Sequence, residues 1–364
     1  MRTRWFARVG LVTVSLCVAL AGAELVGRRW SGVEGASLLV NAPNLYDTSI
    51  FVPDPELGQV LRPGAVGHMR TPEFVTEVRV NSVGTRGPEL GPKASGALRV
   101  LAVGDSSTLA VQVDETETFC AGLSRRLTTE LGRPVEVVNA GVDGFGTFHA
   151  ARQAERLATV LDADAILLMF FLGNDIQDNL SFRPEGYPAR TQLLPSLSSP
   201  IDRIFSWSFL YFHGTALWRA RAAAADPGRS ARFRAEAVPF LRGADLRTGL
   251  EPTRRALSEL ATRSGGRPVV IGFAPPAFVI SPARAEATFA LFGVRGEPDL
   301  DAPARALLAE VPSGMTAVDL TEPLRRAETA ERTYFVFDGH WTRHGHDVVA
   351  TALTPQLIER LRVR

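Results

Sequence analysis

The chain has 364 residues, of which 45% are hydrophobic, enough to bury a substantial core in one large domain with appendages or in two small domains. Its 40 basic and 39 acidic residues leave a formal charge of +1, and no segment concentrates Lys and Arg as a nucleic-acid-binding surface would. Cys17 and Cys120 are its only cysteines, so the sequence indicates neither an intramolecular disulfide scaffold nor a cysteine-based metal site.

The first thirty residues have the layout of an export signal. Arginines precede an uncharged apolar stretch from Val9 to Ala23, as a basic n-region precedes an h-region. This stretch is shorter than the roughly 20 residues that span a bilayer, which favours cleavage. Trp5 and Trp30, however, would lie about 37 Å apart on a helix, a spacing typical of interfacial anchors. Residues 1–30 are therefore predicted to be either a signal peptide or a membrane anchor.

Both alternatives predict that the protein is exported. An anchored chain would be attached to the membrane through residues 5–30 and would face the periplasm or the extracellular side. A cleaved chain would be secreted.

Residues 31–96 are rich in Pro and Gly and are predicted to form an N-terminal extension packed on a main domain, residues 97–364. One alternating run in the extension, Phe74 to Asn81, predicts a strand. Arg86 is expected to form an ion pair that binds the extension to the main domain, with contact to a substrate anion as the alternative.

After the extension, short apolar runs alternate with amphipathic stretches. The apolar runs show no polar alternation, so both faces of each predicted strand should be buried. The predicted strands are Leu98–Val103, Val135–Asn139, Ala165–Phe171, Pro268–Phe273 and Thr316–Leu320. The predicted helices are Thr118–Leu131, Thr147–Leu161, Thr253–Arg263, Pro303–Glu310 and His344–Leu361. This order predicts an α/β protein, a three-layer α/β/α sandwich around a mainly parallel five-stranded sheet.

Residues 179–246 interrupt the alternation. The segment is rich in aromatic residues and has no clear strand, so we predict a partly helical insertion. Aromatic clusters of this kind more often form core than a ligand platform. Because the segment follows a candidate site loop directly, it is also a candidate lid.

Polar motifs stand where the predicted strands end. Gly104-Asp105-Ser106 follows the first core strand, and in an open parallel sheet ligands bind beyond the carboxyl ends of the strands. Such a triplet alone is an ordinary turn. Three further blocks strengthen the signal. These are Asn139–Gly144 after the second strand, Leu172–Asp175 after the third and Phe337–Trp341 before the last helix.

These four blocks, in this order, resemble the SGNH/GDSL hydrolase family, whose characteristic Ser, Gly, Asn and His stand in four separate blocks. The resemblance covers residues 98–364 apart from the insertion and implies a flavodoxin-like sheet. It also reaches residues 53–63 and 81–87, which look like the lead-in of a membrane-proximal bacterial branch.

The resemblance implies a serine esterase with Ser106 as nucleophile, His340 as base and Asp338 as the group that orients it. A serine hydroxyl needs such a base, and an imidazole can act as one at neutral pH with a pKa of roughly 6.5, or slightly more if a carboxylate stabilises its cation. The backbone N–H groups of Ser106 and Gly144 and the side-chain amide of Asn174 would form the oxyanion hole.

Alternatives remain for two of these roles. Gly141 competes with Gly144 as oxyanion donor, and His344 and His346, at the start of the last helix, compete with His340. The broad family places its Asp three residues before the His, whereas here the spacing is two. This Asp-x-His-Trp form is similar to alginate O-acetyltransferase-like proteins, which weakens the interpretation as a lipase more than it weakens the triad.

The sequence predicts no metal site and no cofactor, because its histidines lack carboxylate or cysteine partners at ligand spacing and no Gly-rich phosphate loop follows a strand. The leading hypothesis is hydrolysis of a carboxylic ester, an acetyl group on an envelope or secreted glycan, with an acylated small molecule as the other substrate class. Acyl transfer to a glycan through the same site is the first alternative. A catalytically silent glycan-binding protein is the second, and the joint presence of the five site residues argues against it.

Overall fold

The computed structural model describes residues 2–29, 47–70, 73–182, 208–336 and 338–362. Trp30, the start of the predicted extension and residues 183–207 of the predicted insertion lie outside the described residues.

A five-stranded sheet forms the centre of the main domain, preceded by two small antiparallel hairpins. The strands in chain order are β1 Phe51–Asp54, β2 Gly58–Leu61, β3 Val66–Arg70, β4 Val75–Arg79, β5 Leu98–Gly104, β6 Val135–Asn139, β7 Ala165–Phe171, β8 Val269–Ala274 and β9 Thr316–Asp319. The sheet has the order β6-β5-β7-β8-β9, and all its neighbouring strands are parallel. The predicted fold class is thus confirmed, and the order reverses at β5, which puts a topological switch point beside its carboxyl end.

Helices cover both faces of this sheet. Those described are α1 Arg2–Arg29, α2 Ser106–Leu109, α3 Phe119–Leu131, α4 Thr147–Val160, α5 Asp175–Leu180, α6 Phe209–Ala225, α7 Pro227–Ala237, α8 Arg247–Arg263, α9 Pro282–Phe292, α10 Ala302–Leu308, α11 Thr321–Glu328 and α12 Arg343–Arg362. Short 3-10 turns lie at Thr48–Ile50, Glu115–Glu117, Val238–Phe240 and Ala277–Ile280.

Successive residues of β5 point into different helical layers. Leu101 and Val103 pack in a buried cluster with residues of α4 and α8. Val100 and Ala102 pack on the other face with residues of α3 and α12. Burial on both faces explains why the strand sequences lack polar alternation.

Helix α8 begins at Arg247, six residues before the predicted start at Thr253, and Pro252 lies inside the helix. Proline is common at the first position of a helix, so a proline at position 252 is typical of a helix start. The predicted start of α8 was therefore too late in the chain. The added turns are hydrogen-bonded, since the N–H of Leu250 donates to the C=O of Leu246 at 2.9 Å.

Described parts of the insertion pack against the main core. Phe233 and Phe240 are buried, and both contact the ring of Phe278, which follows β8. Trp218 on α6 is 69% exposed. The domain and insertion boundaries themselves stay predictions.

Helix α1 contains the one span among the described residues that is long and apolar enough to cross a membrane, Arg4–Gly27, with a mean hydropathy of 2.1. A signal sequence meets the same criteria. The end of α1 contacts the start of α6, where Glu24 accepts hydrogen bonds from the hydroxyl of Ser208 and the N–H of Leu210, each at 3.0 Å.

The described part of the extension contains four strands, whereas the sequence pattern predicted one. Short strands in a segment rich in Pro and Gly show little alternation of apolar and polar residues. The sequence pattern therefore did not predict β1, β2 and β3. The apolar faces of the two hairpins share a buried cluster with Leu109 at the end of α2, with Val111 after it, and with Val142 and Phe145 after β6. The extension therefore packs on loops at the carboxyl ends of β5 and β6.

Arg86 joins the extension to the main domain, but not through the expected ion pair. Its guanidinium is buried and donates to the carbonyl oxygens of Leu109 at 2.7 Å, Val113 at 2.6 Å and Ala110. Within the described residues no carboxylate lies at ion-pair distance from it. Burial lowers the pKa of Arg86 to about 10, while the carboxylate of Glu115 acts in the opposite direction.

Arg86→Met is expected to lower the free energy of unfolding by about 3 kcal/mol, because it leaves buried carbonyl groups without their donor. Denaturant unfolding of the full-length protein in detergent micelles measures this change. Arg79→Met is the control, since the side chain of Arg79 lies on the same extension and is 67% exposed. Equal stability of the two variants would contradict the anchoring role of Arg86.

Candidate active site

Ser106 begins helix α2 immediately after β5. Gly104 has a φ of 153°, and a Cβ atom there would collide with the Thr108 hydroxyl and lie 2.7 Å from the carbonyl oxygen of Met169. Asp105 caps the helix by accepting a hydrogen bond from the N–H of Ser107 at 2.9 Å. Glycine and a capping carboxylate thus let the chain turn from strand to helix and present Ser106 at the sheet edge.

The structure brings together the three side chains predicted as nucleophile, base and orienter. His340 Nε2 lies 2.8 Å from Ser106 Oγ, and His340 Nδ1 lies 2.6 Å from Asp338 Oδ1. A carboxylate only accepts hydrogen bonds, so Asp338 favours the tautomer with the proton on Nδ1. The lone pair of Nε2 then faces the hydroxyl of Ser106.

Asp338 and His340 lie on a tight loop before α12. Tyr334 and Trp341 form a β-bridge at its base, and the N–H of Phe335 donates to the C=O of His340 at 2.9 Å. Gly339 has a φ of 79°, in the left-handed region that favours glycine. This turn lets the carboxylate and the imidazole meet although only one residue separates them.

Nearby carboxylates control the charge of His340. Burial lowers the pKa of the imidazole, but Asp338, through its charge and its hydrogen bond, and also Asp105 and Asp143 through their charges, raise it to about 9. Burial in turn raises the pKa of Asp105 to about 7, against hydrogen bonds from Ser107 and the charge of His340. The imidazole of His340 is thus surrounded by carboxyl groups that stabilise its protonated form.

Two of the predicted oxyanion donors are backbone N–H groups, those of Ser106 and Gly144. Neither the N–H of Ser106 nor that of Gly144 donates a hydrogen bond within the described residues. The competing Gly141 is occupied, since its N–H donates to Asn139 Oδ1 at 3.1 Å. A Cβ atom on Gly141 would also lie 2.6 Å from that of Thr108, so this glycine serves close packing.

Asn174 precedes helix α5, at the carboxyl end of β7. Its amide nitrogen donates to Asp178 Oδ2 at 2.9 Å, and because the amide has two hydrogens, one remains for another acceptor. Asp178 also pairs with Arg232 of the insertion at 3.4 Å. The spacing of four residues on a helix is a signal that could have identified Asp178 as a partner of Asn174.

The two competing histidines lie away from Ser106. His346 is buried, accepts a hydrogen bond from the N–H of Phe119 at 3.3 Å, and has its pKa lowered to about 3 by burial. His344 Nδ1 lies 4.0 Å from Glu331 on the surface. Neither forms a hydrogen bond with Ser106, which leaves His340 as the base candidate.

A group of three or more His, Cys, Asp or Glu side chains that could hold a metal ion does not occur in the described part of the chain.

Comparisons with known proteins give a structural likeness only. No protein-family model matches the chain, and no curated protein matches it. Among solved structures, a member of the lipolytic protein G-D-S-L family from Veillonella parvula is 13% identical with a TM-score of 0.36, over 71% of this chain and 97% of that one. The lipase/acylhydrolase from Enterococcus faecalis is also 13% identical, with a TM-score of 0.38 over 72% of this chain and 96% of that one.

A two-domain esterase active on acetylated mannans is 11% identical with a TM-score of 0.39, over 74% of this chain and 50% of that one. At such identities the likeness concerns the fold and carries no information on the alginate O-acetyltransferase-like detail. GDSL lipolytic proteins are thus among the structural neighbours of this chain.

Proposed function

We propose that the protein is a serine ester hydrolase of the SGNH/GDSL type. The observation that carries this proposal is the hydrogen-bonded series Ser106–His340–Asp338, with distances of 2.8 Å and 2.6 Å. A hydroxyl, an imidazole and a carboxylate in this order form an activated nucleophile. The series lies beyond the carboxyl end of β5, where open parallel sheets bind ligands.

In the first half-reaction, His340 Nε2 takes the hydroxyl proton of Ser106 while Oγ bonds to the carbonyl carbon of the ester. The oxygen of the tetrahedral intermediate gains a negative charge, which the N–H groups of Ser106 and Gly144 and the amide of Asn174 stabilise. His340 then gives its proton to the leaving alkoxide oxygen, and the carbon–oxygen ester bond breaks. The alcohol departs and an acyl group remains on Ser106.

In the second half-reaction, water replaces the alcohol. His340 takes a proton from the water, whose oxygen attacks the acyl carbon, and the same donors hold the second tetrahedral intermediate. The intermediate collapses when His340 returns the proton to Ser106 Oγ. The free acid leaves, and the resting state of Ser106 and His340 is restored.

For the substrate, we propose an acetyl ester on an envelope or secreted glycan. The support is the apolar N-terminal helix, which fits export, together with the Asp338-Gly339-His340-Trp341 block. This block also favours a second candidate, in which a sugar hydroxyl instead of water accepts the acetyl group from Ser106. A glycan-binding protein without catalysis is the third.

One assay separates these candidates. Full-length protein in detergent micelles is incubated with p-nitrophenyl acetate, with and without a non-acetylated oligosaccharide, and p-nitrophenol, acetate and acetylated sugar are measured. Hydrolysis predicts equal release of p-nitrophenol and acetate, whereas transfer predicts acetylated sugar at the expense of acetate. Turnover should vanish in Ser106→Ala and persist in Ser107→Ala, the neighbouring serine. Equal turnover by wild type and Ser106→Ala would contradict the proposal.

Asn174→Ala is expected to lower kcat by about 10²- to 10³-fold with a smaller change in KM, because an oxyanion donor acts mainly in the transition state. Steady-state kinetics with p-nitrophenyl acetate measure both constants. Gln177→Ala, in the helix that Asn174 precedes, is the control, since the side chain of Gln177 donates to the carbonyl oxygen of Ala235 in the insertion. A change in KM alone would make Asn174 a substrate contact instead.

We also propose that the full chain is exported, with α1 either retained as an anchor or removed after Ala23. Fractionation of cells that express the full-length chain is expected to find it in the membrane or outside the cytoplasm. The intact mass of the recovered protein distinguishes retention from cleavage. Recovery of unprocessed chain from the cytoplasmic fraction would contradict export.

A further inference from the structure

We propose that the N-terminal extension is a working part of the active site, in which Glu73 holds the loop that carries Asp338. Glu73 would then be a positioning residue for the Asp338–His340 pair. This inference rests on the esterase function proposed above, and it assigns a role to a segment that precedes all four blocks that resemble the family.

The carboxylate of Glu73 binds two backbone groups of the catalytic loop. Glu73 Oε1 accepts a hydrogen bond from the N–H of Val336 at 2.7 Å, and Oε2 accepts one from the N–H of Asp338 at 2.9 Å. Hydrogen bonds from N–H groups to a carboxylate are stronger than those between neutral groups. One side chain of the extension thus holds the backbone of the residue whose carboxylate orients His340.

Apolar packing supports the same contact. Phe74 follows Glu73 and is buried, and its ring centroid lies 5.2 Å from that of Phe335 in the catalytic loop. The loop is therefore held against the extension on both sides of Val336. Glu73 is separated from Asp338 by 265 residues in the chain, so the contact exists only in the folded protein.

The extension is itself attached to the segments that carry the other site residues. The buried hydroxyl of Thr76 donates to the carbonyl oxygen of Val111, which lies shortly after Ser106 and the end of α2. The buried amide of Gln59 donates to the carbonyl oxygen of Asp143, beside Gly144, at 2.8 Å. The extension thus contacts the segment after Ser106, the loop that contains Gly144 and the loop that carries Asp338 and His340. These contacts fix the distances between the three segments.

Precise placement of this loop matters for the chemistry. The hydrogen bond between Asp338 and His340 is 2.6 Å long, and a displacement of about 1 Å in a catalytic group can cost about 10²-fold in rate. Within the loop, the N–H of Phe335 donates to the C=O of His340, and the N–H of His340 donates to Asp338 Oδ1 at 3.3 Å. Both of these bonds lie inside the loop, whereas the two N–H groups bound by Glu73 tie the loop to the extension.

Glu73 could instead act only through its negative charge. His340 lies next to the hydroxyl of Ser106. The charged groups that act on its imidazole are Asp338 on its own loop, Asp105 after β5 and Asp143 after β6. A further carboxylate could add to their effect. Glu73→Asp separates the two roles, because aspartate keeps the charge but is shorter by one methylene group.

The experiment uses full-length protein in detergent micelles. The variants are Glu73→Ala, Glu73→Gln and Glu73→Asp. The control is Glu89→Ala, since Glu89 lies in the same extension and accepts hydrogen bonds from the backbone N–H and the hydroxyl of Ser82, away from the catalytic loop. Kinetics with p-nitrophenyl acetate are measured together with the titration of His340 by NMR on protein with ¹³C-labelled histidine.

Glu73→Ala is expected to lower kcat by about 10- to 100-fold with KM within about twofold, and to lower the pKa of His340, because a displaced Asp338 stabilises the imidazolium less. Glu73→Asp should behave like Glu73→Ala. Glu73→Gln, which keeps one acceptor, should lie between Glu73→Ala and the wild type. Glu89→Ala should match the wild type in kcat, KM and titration.

Unchanged kcat and His340 titration in folded Glu73→Ala would overturn the inference, even if the variant were less stable. If Glu73→Ala did not fold, Glu73→Gln would decide by the same two readouts. Wild-type behaviour of Glu73→Asp would show a charge effect and also overturn it. If the wild type hydrolysed no ester, the proposed function would fail, whereas the His340 titration would still decide whether Glu73 positions Asp338.

Discussion

Ser106→Ala and His340→Ala are each expected to reduce kcat by about 10⁴- to 10⁶-fold, and the double variant should be scarcely worse than either single one. The reason is that His340 acts only on the proton of the nucleophile, so either loss removes the same covalent route. Both side chains lie at the site surface rather than in the core, and the imidazole is 27% exposed, so the fold should persist. Steady-state kinetics of the four proteins test this expectation.

Controls for this cycle come from the neighbouring residues of the same types. Ser107→Ala and His344→Ala should retain kcat within a few-fold, since the hydrogen bond between Ser106 and His340 involves neither side chain. Multiplicative losses in the double variant would mean that Ser106 and His340 act in separate steps. Near-normal activity of His340→Ala would transfer the base to another residue.

Asp338→Asn is expected to lower kcat by about 10⁴-fold, because an amide no longer holds the proton on Nδ1 and His340 Nε2 then cannot accept the proton of Ser106.

The same substitution should also change the pH dependence of kcat/KM. In the wild type, His340 must be neutral to act as base, so kcat/KM should rise with pH and reach its plateau only above the pKa of about 9. Removal of the Asp338 charge leaves burial, which lowers the pKa, so the midpoint should move to lower pH.

Asp143→Asn is the matched control for this pH shift. Asp143 raises the pKa of His340 through its charge alone, so its neutralisation should also move the midpoint to lower pH while the plateau of kcat is retained. Profiles of kcat/KM that extend from neutral pH to well above the His340 pKa of about 9 record both effects. An unmoved midpoint in both variants would show that His340 is not the group that titrates.

The sheet could be predicted from sequence because burial on both faces leaves a simple pattern. The bounds of β6 and β7 agree with the predicted strands at both ends, since their apolar runs are flanked by Pro, Asp and Asn that mark turns. The candidate site residues Ser106 and Asn174 could be located with the same pattern, because each stands in the short turn that follows a recognisable strand.

Other features depend on contacts between distant parts of the chain. The pKa of His340 was expected near the ordinary range or slightly above it, but Asp105 and Asp143 approach the imidazole only after folding and raise it further. The two-residue Asp338–His340 spacing depends on the left-handed conformation of Gly339, which a sequence pattern does not specify. The contact of Glu73 with the catalytic loop gives no local signal at all.

Activation of Ser106 by His340 is tested most directly by covalent labelling. A p-nitrophenyl alkylphosphonate forms an adduct that water does not readily remove, so labelled full-length protein can be digested and analysed by mass spectrometry. We predict one adduct on Ser106 in the wild type and in Ser107→Ala, much slower labelling in His340→Ala, and no adduct in Ser106→Ala. An adduct on another residue, or labelling of Ser106 at the same rate without His340, would contradict the account.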